Sequence, residues 1–175
     1  MNRAIIHLVI GLPLLTACGP AATPAPPGGP DFEGTVGVTE QRRPGVGMTT
    51  LRAVSTGEHP GFDRVVFTFD GTALPGYRIE YVDRPIRQCG SGNAVDVPGQ
   101  GWLRVRLEPS RAHDDAGNAT IADRNRAPGL SNLIALRLTR DFEGQVEWVL
   151  GLNSPEPYRV LELSNPARNV VDVRR

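Results

Sequence analysis

The chain has 175 residues, about the length of one domain, and its 19 arginines, with no lysine, balance 19 acidic residues to a formal net charge of zero. That balance argues against a nucleic-acid partner, because binding to a phosphate backbone requires an excess of basic side chains. Apolar residues make up 39% of the chain, enough to form a core, whereas 20 glycines and 16 prolines are too many for a helical bundle and leave a β-rich fold or long disordered parts.

The N-terminus has the pattern of an export signal. A short positive region precedes an apolar run over residues 4–15, which is too short to span a membrane core that needs about 20 residues. The run ends on Leu15-Thr16-Ala17-Cys18, which resembles a bacterial lipobox, a motif whose cysteine is alkylated with diacylglycerol before cleavage. We therefore predict a signal peptide over residues 1–17 and a lipid on Cys18 that anchors the mature protein to the cell membrane. The alternative is an ordinary signal peptide with a chance cysteine.

Residues 18–46 are predicted to contain the lipidated cysteine and a Pro/Gly-rich linker. The segment 19–30 offers few amide donors and little to bury, so it favours a semi-extended tether. At about 3.1 Å per residue, such a spacer would hold a domain tens of ångströms from the membrane, within reach of the cell wall. The alternative is a passive linker. With Cys18 lipidated, Cys89 would lack a partner within the chain, and we expect it to be a small buried side chain rather than a reactive one.

The remainder, residues 47–175, shows the period-two alternation of apolar side chains that is typical of β-strands with one buried face. No segment shows sustained helical periodicity, and turn-forming pairs such as Asp70-Gly71 and Pro128-Gly129 separate the runs. Seven or more short strands at this spacing predict an all-β fold, a β-sandwich or barrel. The runs are 64–70, 77–82, 102–107, 132–139, 145–151, 158–163 and 169–174.

The polar stretch from His113 to Ala127 is predicted to be a long loop, where functional residues are often found. His113, Asp114 and Asp115 place an imidazole beside two carboxylates, a set that suits a hard cation or acid/base chemistry. The spacing does not match a calcium-binding loop, so a solvated turn is the favoured interpretation. No familiar nucleophile, phosphate-loop or zinc-site motif occurs in the chain, and no cofactor is expected.

An outward face of the 102–107 strand is a candidate binding surface. If the apolar residues of this strand point inward, Trp102, Arg104 and Arg106 share the opposite face and combine an aromatic ring with two guanidinium groups. Such a face would stack on sugars and pair with carboxylates. The alternative is an ordinary solvated sheet face with Trp102 at a sheet edge, in keeping with a low aromatic content of 6%.

Three segments carry a resemblance to a known family: Asp63 to Gly71, Pro75 to Asp83, and Asn165 to Val173. Together they resemble the AMIN-like domain of actinobacterial envelope lipoproteins over roughly residues 47–175. That family is related to the AMIN domain, a sandwich of two four-stranded sheets that directs N-acetylmuramoyl-L-alanine amidases and secretin-type proteins to the cell envelope. By position, the resemblance adds Arg64, Arg159 and Arg168 as candidate ligand-binding residues, unless they are structural charges paired with neighbouring aspartates.

These observations predict a β-sandwich of two mainly antiparallel sheets, anchored by Cys18 outside the cytoplasm. We expect it to bind peptidoglycan or a wall-associated protein without catalysis and without a metal or cofactor. A wall-acting hydrolase or a regulator of one, centred on His113, is the second hypothesis. A purely structural envelope lipoprotein is the third.

Overall fold

The computed structural model describes residues 32–175, which form eleven β-strands in two sheets. The predicted signal peptide, Cys18 and the linker up to residue 31 lie outside the described residues. Within residues 32–175, no helix has the length and apolar character needed to cross a membrane. The strands are β1 (Thr39–Gln41), β2 (Thr49–His59), β3 (Phe62–Phe69), β4 (Gly76–Tyr81), β5 (Gly101–Glu108), β6 (Ser110–Arg111), β7 (Asn125–Arg126), β8 (Leu133–Phe142), β9 (Gln145–Leu152), β10 (Tyr158–Leu163) and β11 (Arg168–Arg174).

The two sheets confirm the predicted all-β sandwich. One sheet has six strands in the order β1-β4-β5-β9-β8-β7, and the other has five in the order β10-β11-β3-β2-β6. All neighbours are antiparallel except β2 and β6. The sheets are larger than the two four-stranded sheets implied by the AMIN resemblance, because short strands extend their edges.

The core lies between the sheets and is built by the alternation seen in the sequence. Along β5, Leu103, Val105 and Leu107 are fully buried while the residues between them are half-buried on the outer face. From the other sheet, Phe67 approaches Trp148 with ring centroids 6.5 Å apart. Burial of each such side chain contributes about 1.5–3 kcal/mol relative to exposure, so both sheets depend on their contact for stability.

Strand β2 lies between β3 and β6 in the five-stranded sheet, yet the sequence pattern does not predict it. Its residues are mostly small or polar, and the register shifts between Leu51 and Ala53, which breaks the alternation. The strand forms because its backbone pairs with β3 along its length.

The C-terminal part of the predicted linker belongs to the folded domain, which corrects the boundary placed at residue 46. Thr39–Gln41 pair with β4, and Thr35 forms an isolated bridge with Tyr158. The Tyr158 hydroxyl lies 2.6 Å from the Gly37 carbonyl oxygen. This segment is polar and its strand has only three residues, so it carries too little alternation to be recognised from the sequence.

The sandwich has two distinct ends. We call the end that holds Phe32, Phe62 and Tyr158 the tether end, because the described residues begin there with Phe32. The Phe32 and Phe62 ring centroids are 5.9 Å apart. We call the other end, where Gly76 pairs with Glu108, the cleft end. β5 spans eight residues between them, about 26 Å at 3.3 Å per residue, so the cleft end lies far from where the tether joins.

Candidate functional site

Trp102 does not form the open aromatic platform that the sequence suggested. The segment following β4 folds back over this part of the sheet, so that the indole packs with Ile86, Val97 and Val149 in a small cluster on the outer face. Its Nε1 donates a hydrogen bond to the Val97 carbonyl oxygen at 3.0 Å, and the Arg84 guanidinium lies 4.7 Å from the ring centroid. The ring is half-buried on β5, an interior strand of the sheet rather than an edge. Trp102 is therefore covered on this face, and a role in stacking on sugars is disfavoured.

Arg104 and Arg106 do project from the same outer face, as predicted, but they form part of a charged ladder across four strands. Arg104 pairs with Glu80 on β4, and the Nη2 of Arg106 lies 3.3 Å from Glu147 Oε2 on β9. Arg78 places its Nη2 2.7 Å from Glu80 Oε2. The remaining member of this charged ladder is Glu40 on β1, 2.8 Å from Arg78 Nη1. Acids and arginines alternate, so each carboxylate has a cation beside it.

Glu80 lies at the centre of the ladder, and its pKa shows how strongly its carboxylate is held. Hydrogen bonds from Arg78 and then Arg104 stabilise the charged form against the cost of partial burial, lowering the pKa of Glu80 to about 2. In return, the hydrogen bonds that Arg78 donates to Glu80 and Glu40 raise the pKa of Arg78 above its ordinary value. The Glu80 carboxylate is thus charged throughout the physiological pH range.

An open cleft of about 910 Å³ lies where this ladder reaches the cleft end. It forms because the chain after β1 crosses over Gly76: a Cβ at that position would lie 2.7 Å from the Gln41 carbonyl oxygen and 3.0 Å from that of Glu108. Only a glycine allows this close backbone approach. Its charged lining has four arginines and two glutamates, an excess of two positive charges: Arg42, Arg43, Arg78, Arg106, Glu40 and Glu108.

Two arginines of the cleft have donors directed away from their ion pairs. Arg42 is 84% exposed, and only its Nε contacts an acid among the described residues, namely Glu40. Arg106 contacts a single oxygen of Glu147 through Nε and Nη2, at 3.4 and 3.3 Å, and its Nη1 has no acidic partner within residues 32–175. In Arg43, by contrast, both terminal nitrogens already donate hydrogen bonds, to the Pro75 carbonyl oxygen and to Glu162. Arg42 and Arg106 can therefore offer guanidinium donors to an anionic ligand.

Arg64 and Arg159 converge on Asp172, outside the cleft. The Asp172 carboxylate is fully buried and accepts from Arg64 at 2.6 and 2.9 Å and from Arg159 at 2.9 Å. The Phe62 ring lies 5.2 Å from the Arg64 guanidinium carbon and 4.9 Å from that of Arg159. Their guanidinium groups are thus occupied by a structural ion cluster at the tether end, as the structural alternative stated. The hydrogen bonds that Arg64 donates to Asp172 raise the pKa of Arg64.

Arg168 lies away from both groups. It follows the turn after β10, and its Nε donates to the Pro166 carbonyl oxygen at 3.3 Å. The structure does not bring it together with Arg64, Arg159 or the β5 arginines, so the six predicted residues do not form one surface.

The loop that begins at His113 separates the three residues proposed for catalysis. His113 Nδ1 lies 2.9 Å from Asp141 Oδ1, on β8. Asp114 accepts hydrogen bonds from the side chain and backbone of Asn118 and from the Ala116 amide, which lower its pKa. The exposed Asp115 pairs with Arg111. Neither carboxylate therefore contacts the imidazole.

Sequence reasoning missed most of the cleft. Arg42 and Arg43 lie within the predicted linker, and Glu108 lies one residue beyond the predicted run 102–107. The available signal was the alternation of β5 itself, since Glu108 continues the outward series of Trp102, Arg104 and Arg106 by one more step.

Two packed sheets and no helix among residues 32–175 define an all-β sandwich domain. A family model described as the AMIN-like domain matches residues 49–175, and the chain belongs to that family. This membership associates it with envelope binding and with a location outside the cytoplasm. Searches of curated proteins and of solved structures gave no match.

Proposed function

We propose that this protein is a lipid-anchored binding module that recognises peptidoglycan without catalysis, through the cleft rather than through the whole β5 face. The observation that carries the proposal is the position of the cleft at the end of the sandwich opposite the tether. A lipid on Cys18 would hold the tether end of the sandwich toward the membrane, and the cleft would then face the wall. Family membership supports the same role.

The chemistry of the cleft fits wall peptides, which carry free carboxylates. Arginine recognises carboxylates with paired, directional hydrogen bonds at contact distance. Arg78 and Arg104 both donate to Glu80, whereas Arg42 and Arg106 keep guanidinium donors outside their own ion pairs. The anion-binding capacity of this face is therefore concentrated at Arg42 and Arg106.

Co-sedimentation with purified peptidoglycan tests the binding role. The unlipidated chain (residues 18–175 with Cys18→Ser) should be retained at low salt and released at high salt. Arg106→Gln should lose retention about tenfold, since a charge-assisted hydrogen bond contributes about 1.5–3 kcal/mol. Arg168→Gln is the matched control because Arg168 lies outside the cleft and has no acidic partner among the described residues. Absence of retention for the parent chain would exclude peptidoglycan as the ligand and point to an envelope protein.

Lipidation and the non-catalytic role have their own tests. A clickable palmitate analogue should label the protein in cells and fail to label Cys18→Ser. Peptidoglycan incubated with the chain across a range of pH and with divalent cations should release no soluble fragments. Release that disappears in His113→Ala would instead support the hydrolase hypothesis.

A further inference from the structure

We propose that the cleft recognises the zwitterionic head group of an amino acid, a free ammonium next to a free carboxylate, rather than an anion alone. This inference rests on the proposed wall-binding function and names the part of the wall that is bound. It arises from Glu108, a carboxylate in the same lining that the anion-binding proposal does not use.

Glu108 is an exposed acid without a cationic partner among the described residues. Its only side-chain hydrogen bond there comes from the Gln145 amide, at 3.0 Å to Oε2, and no arginine nitrogen lies within salt-bridge distance of it. Every other glutamate that lines the cleft or the ladder, namely Glu40, Glu80 and Glu147, has an arginine partner. A carboxylate left in this state beside four arginines is free to accept from a ligand ammonium.

Arg106 and Glu108 are placed to act together. They are two residues apart on β5 and project from the same outer face, so their backbones are separated by about 6.6 Å. In an amino-acid head group, the ammonium and the carboxylate are attached to the same carbon. Such a group fits between two opposite charges at this spacing. Arg106 would bind the carboxylate and Glu108 the ammonium, with Arg42, which lines the same cleft, as a second donor to the carboxylate.

This arrangement selects for both charges. A carboxylate without the ammonium would face Glu108 and be repelled, and an ammonium without the carboxylate would face the arginines. In peptidoglycan, such a head group occurs on diamino acids whose side-chain end carries both groups and has not been cross-linked.

The test uses meso-diaminopimelate as the probe, together with its doubly N-acetylated derivative and its diamide, because modification at both ends leaves no intact head group. Each is titrated into the unlipidated chain and followed by amide chemical shifts in NMR. The free amino acid should bind at the cleft at least about tenfold more tightly than either derivative, since each removes one charge-assisted contact. Glu108→Gln should abolish the preference over the N-acetylated form while leaving the preference over the amide. Arg106→Gln should do the reverse. Glu143→Gln, at an exposed turn away from the cleft lining, is the control for the loss of one carboxylate.

The outcomes separate this inference from the proposed function. Equal binding of all three probes, no binding of any, or an unchanged preference in Glu108→Gln would overturn the zwitterion inference even if the chain still sediments with peptidoglycan. Selective diaminopimelate binding by a chain that does not sediment would support the inference and overturn the wall-binding function. Circular dichroism of each variant checks that its sandwich is intact. Because Glu108 and Glu143 are exposed, we expect their substitution to leave the fold unchanged.

Discussion

The ion cluster formed by Asp172, Arg64 and Arg159 gives a quantitative prediction about stability. Asp172 projects to the outer face of the five-stranded sheet and is nevertheless fully buried, because the two arginines and the rings of Phe32 and Phe62 cover it. The arginine side chains keep about a quarter of their surface exposed, at 26% and 27%. Water therefore screens the cations but not the carboxylate, and the cost of breaking the cluster depends on which partner is removed.

Removal of the two cations should be the most damaging change. The double variant Arg64→Met/Arg159→Met leaves a buried carboxylate without a counter-charge, and we expect it to lower the free energy of unfolding by about 3–5 kcal/mol. Asp172→Ala leaves two arginines that can turn toward water, so we expect a smaller loss of about 2 kcal/mol. The triple variant Arg64→Met/Arg159→Met/Asp172→Leu replaces the whole cluster with apolar side chains and should lie within about 1 kcal/mol of the parent chain.

Urea unfolding followed by tryptophan fluorescence measures all three values, with the slope of each transition checked for two-state behaviour. Trp148, fully buried between the sheets, reports loss of the sandwich. A triple variant as unstable as the double variant would refute the reasoning, because it would show that packing and not the unpaired charge sets the cost. A double variant as stable as the parent would refute it as well.

Three further predictions concern the ladder, the cleft and the N-terminal segment. Because the folded-state pKa of Glu80, about 2, lies below its ordinary 4.5, its contribution to stability is complete above about pH 4.5 and is lost as the pH falls through 2. We expect the parent to be more stable than Glu80→Gln by about 2 kcal/mol at pH 7, with solvent screening included. This difference should shrink steadily in urea titrations from pH 5 to pH 2, and a constant difference would contradict the assignment. Gly76→Ala should lose about 1–3 kcal/mol in thermal unfolding, because its Cβ would lie 2.7 Å from the Gln41 carbonyl oxygen, whereas Gly47→Ala, with nothing within 4 Å of its Cβ, should match the parent. Tyr158→Phe removes the hydroxyl that lies 2.6 and 2.7 Å from the Gly37 and Ile79 carbonyl oxygens. Amide hydrogen exchange in residues 35–41 should therefore be faster than in the parent. Exchange at the parental rate would show that this hydroxyl does not hold the segment.

The sequence predicts the fold well where a strand has one buried face. The alternation in 102–107 and 145–151 corresponds to β5 and β9, which pair in the six-stranded sheet. It fails for β2, whose side chains are too small and polar to show a period, and for β1, which has only three residues. In both, non-local hydrogen bonds decide the structure, and a local pattern does not contain them.

The candidate site was predictable in part for the same reason. The alternation of β5 correctly places Arg104 and Arg106 on the outer face. It does not reveal that the segment carrying Ile86 and Val97 folds over Trp102, nor that Arg42 crosses from the supposed linker to line the cleft. Both depend on chain segments that are far from β5 in sequence, so only the three-dimensional structure brings them to it.

The measurement that tests the central claim most directly combines the anchor with the cleft. Lipidated protein is reconstituted into fluorescent phospholipid vesicles, which are then sedimented with purified peptidoglycan. The account predicts that vesicles carrying the parent protein or Arg168→Gln sediment with the wall material and that vesicles carrying Arg106→Gln remain in solution. If Arg106→Gln vesicles sediment as well as the parent, the cleft is not the wall-binding site. If the parent vesicles remain in solution while its unlipidated chain sediments, the cleft does not face away from the membrane.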